Sequence, residues 1–511
     1  MMIGGLIKKM LVSKKKNTTF HEKSNTKEIE LKNQPILPNL EKMIEIFNHI
    51  YSIPINTDVI IRRITIGGLD RKAATIAINS IADFKMIEEH LLSPLLKNEN
   101  PTKEIEDLIE FQSLSKAMII QEAINIINNG GAVLFIEGFT FAYGIAADAM
   151  ASRQIDKPEN ELTLKGPKES FAEKLDINVS LIRKRIKNEN LMFENLSVSK
   201  RARNTATLVY IKDLTNEELL HNVRKKLEKI DVDSVQNIAL LEQYIEDRKT
   251  SLFPTILYTE RPDRATAYLD NGYIVLIMDS SPAALIVPAT FWSFYHTAED
   301  HYMRFIPANF TRILRMLAIF ITLFMSSIYV AMTSYHSEMI PPDLLLAIAA
   351  TREKVPLPAF LEVFLMEIAF DLIREAGLRV PAPIGPTIGI VGALILGQAA
   401  VQANIVSPIV VIVVALAGLC SFILGDVNMD YTIRLSRYIF ILTAAAFGIY
   451  GMTAGFILGI FYMVSIKSFG VPYLSPLTPR YFSSNDTIFR RLLKDEVFRP
   501  GYLKPKDMKK N

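Results

Sequence analysis

The chain has 511 residues, half of them hydrophobic, with 57 basic against 54 acidic side chains and a net charge of +3. So small an excess, with no basic stripe interleaved with aromatics, argues against a nucleic-acid partner. A single cysteine, Cys420, leaves no disulfide framework and no thiolate cluster for a metal, and its apolar surroundings mark it as a small core hydrophobe.

Residues 1–270 are charge-rich, whereas 316–466 carry nearly all of the long apolar runs. The opening MMIGGLIKKMLVSKKK is not a secretory signal, because its short apolar stretch precedes the lysines instead of following them. Residues 1–38 read as a flexible polar lead-in, and the front half is expected to stay in the cytosol. Strands are predicted at Val59–Ile66 and Ala73–Asn79, then helices at Phe84–Leu96 and Lys103–Asn128. The second helix stops at Asn129-Gly130-Gly131 and opens a strand at Ala132–Ile136. A similar order returns with a strand at Lys200–Ile211, helices at Asn216–Lys229 and Ser234–Arg248, and a strand at Tyr273–Met278. Ala74-Thr75-Ile76-Ala77 matches Ala206-Thr207-Leu208-Val209, and the stretch from Gly131 to Glu137 matches that from Gly272 to Met278. The expectation is two tandem α/β subdomains, 40–150 and 165–298, related by duplication.

No catalytic chemistry is legible in this half, and no enzyme, metal or cofactor is expected. Gly166-Pro167-Lys168 lacks the spacing of a phosphate-cradling loop. His21, His49, His90 and His221 stand apart from any carboxylate or cysteine at ligand spacing. The basic run Arg183–Lys187 reads as the solvated face of a helix. Residues 273–294 are apolar but interrupted by Asp279, Pro282 and Pro288, so they read as strands and a turn that close the second subdomain, with a linker over 299–315.

Beyond it, an all-α polytopic membrane bundle is expected over 316–466. Met316–Tyr335 is long and apolar enough to span a bilayer. The charge-free run from Arg379 to Asp426 reads as two helices, Thr387–Ala403 and Pro408–Leu424, with polar positions Gln398, Gln402 and Asn404. Tyr438–Ile466 is a third apolar block, with a break at Gly448–Gly451. Arg312 and Arg315 before the first span and a basic tail over 467–511 favour cytosolic ends and an even number of crossings. Arg434 and Arg437 also ask for the inside, and no simple count satisfies them all. Four to six spans are expected.

The segment Pro356–Gly377 is apolar yet carries Glu362, Glu367, Asp371, Arg374 and Glu375. At 100° per residue Val363, Glu367, Phe370 and Arg374 share a face, with Glu362 and Met366 on the adjoining one. Ionisable groups at membrane depth are costly unless they face water or each other. One reading is a helix that lines an ion pathway with Glu362, Val363, Met366, Glu367 and Phe370. The other is an amphipathic helix at the membrane interface.

An ordered series of motifs resembles the A subunits of spore germination receptors, the GerA family. Gly166-Pro167-Lys168-Glu169-Ser170-Phe171 is followed by Thr259-Glu260-Arg261-Pro262-Asp263-Arg264 and by Ser281-Pro282 through Pro288. Glu338-Met339-Ile340-Pro341, Arg352-Glu353-Lys354-Val355-Pro356, Arg374-Glu375-Ala376-Gly377 and Val391-Gly392-Ala393-Leu394 come next. Gly397-Gln398-Ala399-Ala400-Val401 and Ser468-Phe469-Gly470-Val471-Pro472 complete the series. The resemblance implies a multi-pass protein of the endospore inner membrane that assembles with a transporter-like B subunit and a lipoprotein C subunit. It further implies a homo-oligomeric ring, a pentamer, acting as a nutrient-gated cation channel, with the nutrient bound mainly by the B subunit. The junction residues it marks for coupling are Glu260, Arg261, Asp263, Arg264, Pro282 and Pro288. The charged loop Gly425–Asp430 departs from many relatives. A secondary transporter, a non-conducting scaffold and a relative of the stage V sporulation protein AF type are the competing functions.

Overall fold

The computed structural model describes residues 30–100, 104–109, 111, 114–149, 157–379, 395–481 and 486–510. The first unit opens with α1 (Leu40–Tyr51), started by the Asn39 side chain, which accepts from the Lys42 amide. Strands β1 (Val59–Ile66) and β2 (Arg71–Ile78) follow, then β3 (Leu114–Ala117), α2 (Ile120–Asn128), β4 (Ala132–Ile136) and β5 (Ala142–Ile145). Residues 84–97 are helical, as expected. The long helix expected at Lys103–Asn128 is not formed. Leu114–Ala117 pairs with β5 instead, and the Glu122 carboxylate accepts from the Met118 amide at 2.7 Å, so the helix starts only at Ile120. Gly130, at φ +91°, ends it.

The second unit contains α3 (Leu175–Arg185), β6 (Leu191–Ser197), β7 (Thr205–Ile211), α4 (Glu217–Glu228) and α5 (Ile238–Ile245). It continues with β8 (Leu257–Thr259), α6 (Pro262–Leu269), β9 (Ile274–Met278), β10 (Ala284–Val287) and α7 (Phe291–Tyr295). Its sheet runs β6-β7-β9-β10-β8, and the first runs β1-β2-β4-β5-β3. The two are the same antiparallel arrangement used twice. The two short sequence matches are not both in register, however. Thr75 pairs with Leu134, whereas Thr207 pairs with Ile277, two residues beyond the position the match assigned. A shift of two keeps every side chain on its own face, so the buried pattern survives.

The subdomains are clamped together by charge. Arg183, read as part of a solvated face, is 1% exposed, and its Nε donates to Asp58 of the first unit at 3.0 Å. Its NH2 group also caps the Leu191 carbonyl, at 3.0 Å. The second unit's core, around Leu181, Phe193, Leu208 and Leu276, continues without interruption into Ile319, Met429 and Ile433 at the foot of the helical region. The tail returns to the same unit: Ser468 Oγ donates to the Thr255 carbonyl at 2.6 Å, and the Lys506 amide to the Leu214 carbonyl at 2.9 Å.

The helical region comprises α8 (Phe305–Tyr335), α9 (Pro342–Arg352), α10 (Ala359–Arg379), α11 (Pro408–Ser421) and α12 (Val427–Ser465), with residues 395–402 also helical. Residues 387–394 of the expected span 387–403, with the motif at 391–394, lie outside the described residues. Among those described, α8 and α12 are long and apolar enough to cross a bilayer. α12 is not one straight rod. Gly448 has φ +62° and ψ −143°, and the chain doubles back there. Both ends of α12 therefore meet one loop: Thr432 Oγ1 donates to the Leu252 carbonyl at 2.7 Å, and the Leu252 amide donates to the Tyr462 hydroxyl at 3.2 Å. Phe324 packs on both arms, 4.8 Å from Phe440 and 5.6 Å from Phe456. Each arm is roughly 25–32 Å long by the α-helical rise, close to the ~30 Å hydrocarbon core of a bilayer. The break that hinted at a discontinuous transporter helix is thus the turn of a hairpin.

A side chain at Gly448 would meet His336 within 2.7 Å and Tyr335 within 3.0 Å. Gly448→Ala is expected to cost about 1–3 kcal/mol from backbone strain alone, plus the displacement of His336. A melting temperature for purified protein equal to wild type would contradict the hairpin.

Candidate functional site: a buried ion-pair chain above a charged junction

α8 leaves the soluble units at its N-terminus, and at its far end the Tyr335 hydroxyl bonds the Ala445 carbonyl at 2.6 Å beside the Gly448 turn. α10 runs the opposite way. Glu362, near its start, accepts from Arg352 Nε at 3.1 Å and from the Ser407 amide at 2.9 Å, both at the far end. Arg374, near its finish, donates to Asp430 at 2.7 Å and to Ser421 at 2.6 Å, at the end nearer the soluble units.

From Arg374 as far as Glu367 runs an unbroken sequence of opposite charges. Asp430 contacts Arg434 Nε at 3.3 Å, and Arg434 NH1 donates to Asp371 at 3.1 Å. Asp371 also accepts from Arg437 at 3.3 Å and from the Tyr438 hydroxyl at 2.6 Å. Arg437 NH1 then reaches Glu367 at 2.8 Å, and Ser326 Oγ of α8 donates to the same carboxylate at 2.5 Å. Glu362 and Glu367 are wholly buried and Arg437 is 1% exposed. A helix lying on a membrane surface would turn these groups to water, so the interfacial alternative does not fit α10. Nor do Glu362, Val363, Met366 and Glu367 face a passage within one chain. Glu362 faces Arg352 of α9 and the Ser407 amide, Glu367 faces α8 and α12, and Val363 and Met366 pack among Val410, Val414 and Ile441.

Arg434 and Arg437, which resisted any orientation count, are consumed by Asp371 and Glu367 inside the bundle. Arginines spent on buried acids do not act as free topogenic charges. The same holds at the foot of α8. Arg312 and Arg315 contact Asp300 at 3.2 and 3.0 Å, and Arg312 also pairs with Asp486 of the tail. Arg490, read as a tail charge in the cytosol, is 4% exposed and bonds the carbonyls of Asp300 and Met303. Burial works against ionising Asp300, but Arg315 and Arg312 outweigh it and hold the carboxyl down to about 2. Burial pushes the neighbouring His296 down to about 4. Asp300 and Asp486 were not singled out from the sequence, and Arg437 and Asp430 were read there only as an orientation charge and as part of a divergent loop. The available signal was two arginines three apart at the foot of an apolar helix, with an acid needed nearby.

The junction motif forms a second network. Arg261 donates to Asp263 at 2.9 Å and to the Pro167 carbonyl at 2.8 Å, so the motif at 166–171 and the motif at 259–264 meet through one guanidinium. Arg264 pairs with Glu161 and bonds the carbonyls of Ser293 and His296. Glu260 accepts from the Glu159 amide at 2.9 Å. Pro288 lies between β10 and α7, whereas Pro282 sits in the β9–β10 turn, away from these contacts.

A cavity of about 1780 Å³ lies between this junction and the helices. Its walls include Arg261, Arg264, Phe370, Asp371, Gln398 and Gln402, so residues singled out for three separate reasons border one space. Asn404 does not border it; at φ +53° it turns the chain from the 395–402 helix toward α11.

Residues 42–502 match the family described as Bacillus/Clostridium GerA spore germination protein. Spore germination protein KA of Bacillus subtilis (strain 168) is 41% identical over 85% of this chain and 81% of its own length. Spore germination protein GerLA of Bacillus cereus is 34% identical over 88% of this chain and 93% of its own. A membrane protein of Bacillus subtilis (strain 168), YfkQ, is also 34% identical, over 87% of each chain. The crystal structure of the N-terminal domain of the A subunit of the Bacillus megaterium spore germinant receptor GerK3 aligns at 25% identity. That alignment has a TM-score of 0.41 and covers 50% of this chain and 98% of that one. The motifs, the helical region and these matches over most of the sequence converge: the chain belongs to the GerA family of spore germination proteins.

Proposed function

We propose that this protein is the A subunit of a nutrient germinant receptor in the inner membrane of the endospore, with its two sheet units in the cytosol. In this reading α8, α10, α11 and the two arms of α12 are among the segments that cross the bilayer. The subunit assembles with a transporter-like B subunit, which binds the nutrient, and a lipoprotein C subunit, and it performs no catalysis. Copies form a pentameric ring that conducts cations when the nutrient arrives.

The observation that supports it is the chain of charges from Arg374 to Glu367 inside otherwise apolar helices. Such groups are expensive at bilayer depth and persist where they serve ion passage or a moving element. The exposed side of α10 carries Leu361, Leu365 and Leu372. In a ring this side would form an apolar constriction backed by the acids, and cations would pass when the two exchange places.

The test is cation release from liposomes that hold the purified receptor. Val363→Ala loosens the packing against Val410 and Val414 and is expected to raise basal release, while Glu367→Gln is expected to lower nutrient-stimulated release. Wild-type release from both variants would remove the channel reading.

A further inference from the structure

We infer that the segment 157–168 lies on the membrane surface, with Leu162 and Leu164 inserted at the edge of the lipid tails and Lys165 and Lys168 among the headgroups. The inference rests on the membrane placement of the helices proposed above. It starts from an inverted pattern: the segment belongs to no helix or strand, and its polar groups turn inward while its leucines turn out. Arg261, which is buried, donates to the Glu161 carbonyl at 3.1 Å, to Thr163 Oγ1 at 3.0 Å and to the Pro167 carbonyl at 2.8 Å. The Glu161 carboxylate accepts from Thr259 Oγ1 at 2.5 Å and from the Glu260 amide at 3.0 Å. The Leu164 amide donates to Glu299 at 3.1 Å. Leu162 and Leu164 alternate with these anchored groups and are left 76% and 87% exposed. Neither leucine can fold back into the core without breaking the contacts to Arg261.

The level of the segment picks out its partner. Leu162 borders the large cavity together with Thr297, Arg315, Phe422 and Gly425. Arg315 is the last charged residue before the apolar run Met316–Tyr335. Its NH2 group donates to Thr297 Oγ1 at 3.2 Å, and Gly425 packs so closely on Thr297 that a Cβ there would collide with it. The start of the apolar run of α8, the turn between α11 and α12, and Leu162 therefore stand at one level, where the helices meet the headgroups. Phe422, Ile423 and Val427 are exposed there too, so the apolar surface of the helices continues toward the leucines. Lys165 and Lys168 are exposed and form no ion pair among the described residues. Apolar side chains flanked by unspent cations are the composition of an interfacial anchor, in which the tails take the leucines and anionic headgroups take the lysines. A protein partner would have to bring an apolar pocket and acids together at this spot, whereas an anionic bilayer at this level supplies both.

Spin labels on the full-length protein in nanodiscs of phosphatidylglycerol and phosphatidylethanolamine test this, with Cys420→Ala as background. A nitroxide at Leu164→Cys is expected to collide with oxygen far more than with a water-soluble nickel chelate. A label at Leu458→Cys, on the exposed side of the second arm of α12, should behave alike. The oxygen-to-nickel ratio at both sites should exceed several-fold that at Arg201→Cys, in the exposed turn between β6 and β7. Adding Lys165→Gln with Lys168→Gln should lower the ratio at the Leu164 site and leave the Leu458 site unchanged; no change at either would overturn the role given to the lysines. A water-like ratio at the Leu164 site beside a lipid-like one at the Leu458 site overturns the proposal and spares the membrane placement. So does a label at the Leu164 site shielded from both reagents, because protein would then cover the leucines. A water-like ratio at the Leu458 site would instead strike the membrane placement, and the seat of the segment with it.

Discussion

Arg437→Ala should strip the membrane of most folded protein, and adding Glu367→Gln to the same chain should bring much of it back. Arg437 is 1% exposed and holds two acids at once, Glu367 at 2.8 Å and Asp371 at 3.3 Å. Deleting one side of a buried pair leaves the other charge desolvated and unpaired, at a cost of about 3–5 kcal/mol. That is a fall of two or more powers of ten in the folding equilibrium, since about 1.4 kcal/mol is tenfold. Asp371 has a second cation in Arg434 and a hydrogen bond from Tyr438, so Glu367 carries most of the damage. Glu367→Gln alone is milder, about 1–3 kcal/mol for imperfect hydrogen bonding. Its carbonyl still accepts from Ser326, and Arg437 keeps Asp371. In the double variant the orphaned charge is gone, so two changes should hurt less than one. Thermal melts of the detergent-solubilised protein decide it. A double variant no more stable than Arg437→Ala would mean that Glu367 is reached by water after all.

Local structure was largely legible in the residues, and long-range pairing was not. Alternating apolar strands, the Asn129-Gly130-Gly131 stop and the charge-free runs each leave a mark within about ten residues, so most elements could be placed. The error at Lys103–Asn128 arose because a helical spacing of Ile and Leu continues through Ser113–Lys116, while the competing partner, β5, lies about 30 residues on. The repeated sheet order surfaced as two short matches, but hydrogen-bond register is a property of strand pairs, and a two-residue slip preserves the pattern the matches were read from. The acids of α10 stood out as charges in an apolar helix. Their partners did not, because Asp371 and Arg434 are 63 residues apart and nothing periodic connects them. Arg183, Arg312, Arg434, Arg437 and Arg490 were all assigned to solvent or to membrane orientation, because a guanidinium is ordinarily exposed. In this fold each is buried and bonded.

Acid should loosen the junction, and Asp300→Asn should abolish a defined part of that response. Asp300 is 2% exposed and faces Arg312 and Arg315, which hold its carboxyl at about 2 against an ordinary value near 3.9. Because the folded value is depressed, the ion pair contributes its full stability above pH ~4 and loses it as pH falls toward 2. A difference of about two units corresponds to about 2.6 kcal/mol. His296 acts at a different point. Burial holds it near 4, so the folded state must give way to bind a proton, and stability declines as pH drops below ~6.5. Wild type should therefore soften in two stages, and the Asn variant should keep the first and lose the second. The variant is also weaker at neutral pH, since Arg312 retains only Asp486 as an anionic partner and Arg315 the Tyr295 carbonyl at 2.7 Å. Unfolding of the full-length protein in detergent from pH 7 to 2.5 gives the difference curve. A flat difference below pH 4 would show that the arginines at the foot of α8 draw their stability from elsewhere. The tail would then be the part to examine, because Asp486 and Arg490 close the same cluster from the opposite side.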